Sequence, residues 1–108
     1  MRILHLTVKK RRFDDIMSGL KKHEYRIYNP SWIKRLLDEN GIGKEFDIVR
    51  FKNGYGSVPT MDVEFKRIFL TMRRWNAEEG GGESGSLKTI VIELGDVLRV
   101  ENANGKIE

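Results

Sequence analysis

The chain has 108 residues, enough for one domain and one core, and about two thirds of its unfolded surface can be buried without staples. It contains no Cys, which excludes disulfides, thiolate zinc sites and a catalytic thiol. The net charge is +4 and the pI about 9.5, with the positive charge concentrated early: residues 1–36 hold ten basic side chains against three acidic ones. A basic third of this kind is the footprint expected for a phosphate-bearing partner, although a solvated charged surface has the same composition.

Leu4, Leu6 and Val8 alternate, so residues 2–8 read as a strand. The apolar run is cut short by Lys9-Lys10-Arg11-Arg12. It is too brief for a signal peptide or a membrane span, and the expected setting is the cytoplasm. Phe13, Ile16, Met17 and Leu20 recur at helical spacing and predict a short amphipathic helix, with Gly19 free to take positive φ at its end. Residues 22–28 read as a second strand. Asn29-Pro30 opens a second helix with the stripe Trp32, Ile33, Leu36 and Leu37, which Asn40-Gly41 is expected to end.

From Phe46 the pattern turns to β structure. Residues 46–52 form a strand, and Asn53-Gly54 signals a tight turn. Residues 60–70 form a long strand whose apolar positions change face between Phe65 and Ile68, which predicts a bulge. Residues 76–86 are glycine-rich and read as a loop. Lys88–Leu94 alternates as a strand, and Asp96–Val100 is a candidate for another. The whole chain, 1–108, therefore reads as a single α+β domain with a small barrel-like sheet and two short helices.

Familiar catalytic and cofactor motifs are missing. The glycines at 80–82 and 85 lack the Gly-Lys-Ser/Thr ending of a phosphate loop, and they lead toward a strand rather than a helix. His5 and His23 are isolated and make no metal site. Ser84 has no nucleophile elbow around it. No cofactor is expected.

The segment from Gly19 to Arg26 is different in kind. On a strand over 22–28, Glu24 and Arg26 lie two apart and share a face, while Lys21 stands at the turn feeding that strand. Taken by spacing alone, this is also what a solvated surface pair looks like. The four residues Gly19, Lys21, Glu24 and Arg26 fill the pattern Gly-x-Lys-x-x-Glu-x-Arg, which resembles the signature of the ASCH domain of the PUA-like superfamily. Tyr28-Asn29-Pro30-Ser31-Trp32 and Phe51-Lys52-Asn53-Gly54-Tyr55-Gly56 are similar to segments of small ASCH-like proteins of phages and mobile elements, so the resemblance covers nearly the whole chain.

That resemblance implies a small mixed β-barrel of five to six strands with two flanking helices, and a cleft lined by the motif. It also implies binding of RNA, a nucleotide or a modified nucleoside, with no membrane partner; a monomer is assumed. Some family members deacetylate acetylcytidine with the motif Lys as catalytic group. They carry a Thr where this chain has Glu24, and a later carboxylate assists. Here Glu64, Glu78, Glu79 and Glu83 are all candidates for that carboxylate.

Three readings follow, in order. In a binding module, Arg26 grips phosphate or a base edge and Lys21 adds a point charge, with Lys9, Arg11 and Arg12 extending the basic surface. Tyr25, Tyr28, Trp32, Tyr55 and Trp75 are then available for stacking, Tyr55 being the best exposed candidate and Trp32 the one best suited to packing. In an amidohydrolase, Lys21 and Glu24 are the catalytic pair. In a structural or regulatory protein, Glu24 and Arg26 form a buried pair that holds the fold together.

Overall fold

The computed structural model describes residues 1–76 and 85–102. Seven elements follow in order: β1 (Ile3–Val8), α1 (Lys10–Met17), β2 (His23–Ile27), α2 (Pro30–Leu36), β3 (Ile48–Asn53), β4 (Thr60–Arg74) and β5 (Ser86–Glu101). The strands form one mixed sheet in the order β1-β3-β4-β5-β2. The β1–β3 pair is parallel, and the other ladders are antiparallel. Parallel pairing of β1 and β3 requires a long crossover, and the segment containing α1, β2 and α2 supplies it. Among the described residues no ladder joins β1 to β2, so the sheet is open at those two edges rather than closed into a barrel.

The core lies on one face of this sheet. Leu4, Leu6 and Val8 of β1 meet Val49 and Phe51 of β3, Met61 and Val63 of β4, and Ile90, Ile92 and Leu94 of β5. The helices close it with Phe13, Ile16 and Leu36. Each fully buried side chain of this size contributes about 1.5–3 kcal/mol relative to exposure, so this cluster is the main stabilising term. No helix among the described residues is long and apolar enough to cross a membrane.

Several boundaries differ from the sequence expectation for local reasons. The first helix stops at Met17, and Leu20 is 80% exposed rather than part of its stripe. Gly19, at φ 81°, reverses the chain there, with its own N–H and that of Lys21 donating to the Ile16 and Asp15 carbonyls. The second helix starts as expected: the Asn29 side chain accepts from the Trp32 N–H at 2.9 Å, and Pro30 takes the first helical position. It ends at Leu36, short of Asn40-Gly41. Leu37 is already extended, and the Asp38 carboxylate captures the Asn40 and Ile42 N–H groups.

Asn53-Gly54 does not make a two-residue hairpin. The Asn53 N–H donates to the Pro59 carbonyl across a longer loop, and the Gly54 N–H donates to Val8 at the end of β1. In β4 the pairing slips between Asp62 and Arg67, which accounts for the change of face, and the strand runs on to Arg74. The two candidate strands at 88–94 and 96–100 are one continuous strand, β5, because β4 pairs with it along its whole length.

Candidate functional site

Strand β2 alternates, with Glu24 and Arg26 buried and His23, Tyr25 and Ile27 half-buried. Its ladder with β5 sets Glu24 beside Ile92 and Arg26 beside Ile90, so both charged side chains point to the core face. Two charges in such a place are tolerable only when paired. The Glu24 Oε2 atom accepts from Arg26 Nη1 at 2.7 Å, and Glu24 Oε1 lies 3.6 Å from Lys21 Nζ. Arg26 Nη1 also donates to the Tyr25 carbonyl at 2.8 Å. Both of these hydrogen bonds leave from Nη1, so among the described residues Nε and Nη2 of the guanidinium fork make no hydrogen bond.

Lys21 follows the Gly19 turn and is about three quarters buried, with its ammonium 4.8 Å from the Tyr25 ring centre. Burial pushes its pKa below the ordinary lysine value of 10.5. Glu24 opposes that shift, while Arg12 and Arg73 reinforce it.

The motif strand opens into a cleft of about 460 Å³, within the usual size of small-ligand sites. The end of β1 and the start of α1 contribute Val8, Lys9 and Arg12, and β2 contributes Tyr25, Arg26 and Ile27. Asn29, Trp32, Gly54, Tyr55 and Trp75 also line it. Both open edges of the sheet therefore face the same cavity. Among the described residues its lining carries Lys9, Arg12 and Arg26 and no carboxylate. Glu24 pairs with Arg26, which leaves Lys9 and Arg12 as lining cations with no ion pair among the described residues.

The aromatic side chains divide by how occupied they are. The Trp32 ring carries the Arg26 and Arg35 guanidinium groups at 4.9 and 4.5 Å, so its role is packing and orientation of cations. Tyr25 carries Arg73 at 4.0 Å and meets Trp75 edge-on. Trp75 is fixed by donation from Nε1 to the Thr89 hydroxyl at 2.9 Å. Tyr28 carries Lys88. Tyr55 is 86% exposed, and its backbone is set by Gly54 at φ 91° and the bond to Val8. It is the ring most open to a stacking partner.

The structure thus brings Lys9, Arg12, Arg26 and Tyr55 to one cleft; Lys21 and Glu24 are not in its lining and reach it only through their contacts with Tyr25 and Arg26. Arg11 is exposed and lines neither this cleft nor its neighbouring cavities. Among the candidate later carboxylates, Glu64 pairs with Lys66 and accepts from the Asp96 N–H, away from the cleft lining. Glu78, Glu79 and Glu83 lie outside the described residues.

Arg73 was not legible as a site residue. The only local signal is its place in the basic and aromatic run Met72-Arg73-Arg74-Trp75. Among the described residues no group of three His, Asp or Glu side chains could hold a metal ion. No family model, curated protein or solved structure matches this chain.

Proposed function

We propose that the chain is an ASCH-type domain of PUA-like architecture whose cleft binds a nucleotide, alone or within RNA. The observation that carries this reading is the cleft lining: three cations, an open tyrosine ring and, among the described residues, no carboxylate in one cavity. A phosphate would sit by Arg12 and Lys9, where positive charge is uncompensated. A base would stack on Tyr55, and the free side of the Arg26 fork would hold phosphate or a base edge with two parallel hydrogen bonds. A sheet with both open edges facing one cleft supports the PUA-like reading of the fold.

The test is a titration of uridine monophosphate and of labelled single-stranded RNA at low and at physiological salt. Affinity should fall as salt rises, because bound cations release counterions from phosphate. Arg26→Lys should weaken binding by about tenfold, since the charge remains but the planar fork is lost. Absence of binding at both salts, or binding indifferent to salt, overturns the reading.

A second reading, amide hydrolysis on an acylated cytidine, is favoured by one observation. Lys21 is an amine beside Tyr25, a residue of the cleft lining, and is held by Glu24 with its pKa lowered by burial. Incubation with acetylcytidine tests it directly. Turnover that falls about 100-fold in Lys21→Met supports it, and intact substrate after hours with the wild-type protein excludes it for that substrate.

A further inference from the structure

The motif cleft does not stand alone. A second cavity, of about 630 Å³, adjoins it, and Thr7, Trp32 and Tyr55 line both. The second cavity continues along β1 and β3 and is again cationic, with Arg35, Arg50 and Lys52 and, among the described residues, no carboxylate in its lining. These cations are not equivalent. Arg50 is held by both oxygens of Asp62 at 2.7 and 3.0 Å, so its charge is largely compensated. Arg35 donates to the His5 carbonyl and rests on Trp32, which fixes its guanidinium at the boundary between the two cavities. Lys52 is half-buried on β3, and its ammonium makes no ion pair or hydrogen bond among the described residues. Beyond Arg50 the lining changes: the next cavity holds Asp62 and Glu101 beside Arg50 and Arg99, so the anion-attracting run stops there.

Two cationic compartments that share one open tyrosine, with no carboxylate among their described lining residues, form a repeat of charge, ring and charge. A single nucleotide uses one half of it. We infer that the groove takes a single-stranded oligonucleotide rather than a free nucleotide. Its first nucleotide occupies the motif cleft, the chain passes Tyr55, and the following phosphate is held by Lys52 and Arg35. This inference rests on the nucleotide-binding reading of the motif cleft and adds the polymeric nature of the ligand and a second phosphate subsite.

The experiment compares uridine monophosphate, by calorimetry, with fluorescein-labelled hexauridylate, by anisotropy, on the full chain at about 50 and about 200 mM salt. Lys52→Gln removes the unpaired ammonium and keeps most of the stem. Lys66→Gln removes one charge from β4 outside both cavities and serves as the control. The hexamer should bind at least about tenfold tighter than the monophosphate. Lys52→Gln should weaken the hexamer roughly threefold and lower its salt slope by about 0.7, the value for one phosphate contact on a single strand. It should leave the monophosphate unaffected, and Lys66→Gln should change neither.

Equal affinity for monomer and hexamer overturns the inference while leaving the nucleotide reading in place. So does an equal response to Lys52→Gln and Lys66→Gln, which marks diffuse electrostatics. Failure of both probes to bind removes the nucleotide reading and the inference with it.

Discussion

Glu24→Ala is the most informative single change, because its effect follows from burial and pairing alone. The carboxylate is 1% exposed and holds a guanidinium whose side chain is only 10% exposed, at 2.7 Å. Removing it leaves Arg26 beneath the surface without a counter-ion, and Lys21 beside it without one as well. Breaking a buried pair from one side costs about 3–5 kcal/mol, a large part of the roughly 5–15 kcal/mol that holds a domain together. For a chain of this size that is a fall in Tm on the order of 20 °C.

Glu24→Gln keeps an acceptor for Arg26 Nη1 and should cost about 1–2 kcal/mol, the charge-assisted part of the bond. Glu24→Leu combined with Arg26→Met removes both charges and should recover most of the stability lost in Glu24→Ala, because two apolar side chains need no partner. Urea unfolding followed by far-ultraviolet circular dichroism measures all four proteins, with the m-value checking that unfolding stays two-state. A loss under about 1 kcal/mol in Glu24→Ala refutes the reasoning, since that is the range of solvated surface pairs. So does a double variant less stable than Glu24→Ala.

Lys21 gives stability a pH dependence whose sign is fixed. Its pKa is lowered in the folded state, so between that lowered value and 10.5 the unfolded chain binds more protons and stability rises with pH. Below that window the buried ammonium is charged in both states and its desolvation cost is present in full. Wild type should therefore gain on Lys21→Met as the pH rises through the window, as read from paired urea midpoints, and Arg12→Gln should narrow the window. Gly19→Ala places a Cβ in the left-handed region at φ 81°, where space is open but conformation is not. It should cost about 1–2 kcal/mol in the same unfolding assay. Trp75→Phe removes the donor to the Thr89 hydroxyl and should cost about 1–3 kcal/mol, with thermal unfolding as the readout.

What the sequence determined by itself is what short-range geometry can carry. Period-2 spacing set the core face of β1 and the shared face of Glu24 and Arg26, while Asn29, Pro30 and Gly19 marked helix limits through their own local preferences. These effects act within a turn or two of the chain, so a linear reading contains them. Whether Glu24 and Arg26 were a solvated pair or a buried one was not readable, because burial depends on what the strand lies against. The β2–β5 ladder decided it by setting them beside Ile92 and Ile90.

The same kind of distant pairing made β5 continuous through Gly95, brought Arg73 and Trp75 to Tyr25, and set Tyr55 against the end of β1 through the Gly54 bond. Leu20 shows the converse: its helical spacing suited the core, but the turn at Gly19 carried it into solvent. A cleft is a property of surfaces from separate strands. Its charge balance, three cations against no carboxylate among the described residues, exists only once β1, α1, β2 and the segments after β3 and β4 contribute to one cavity.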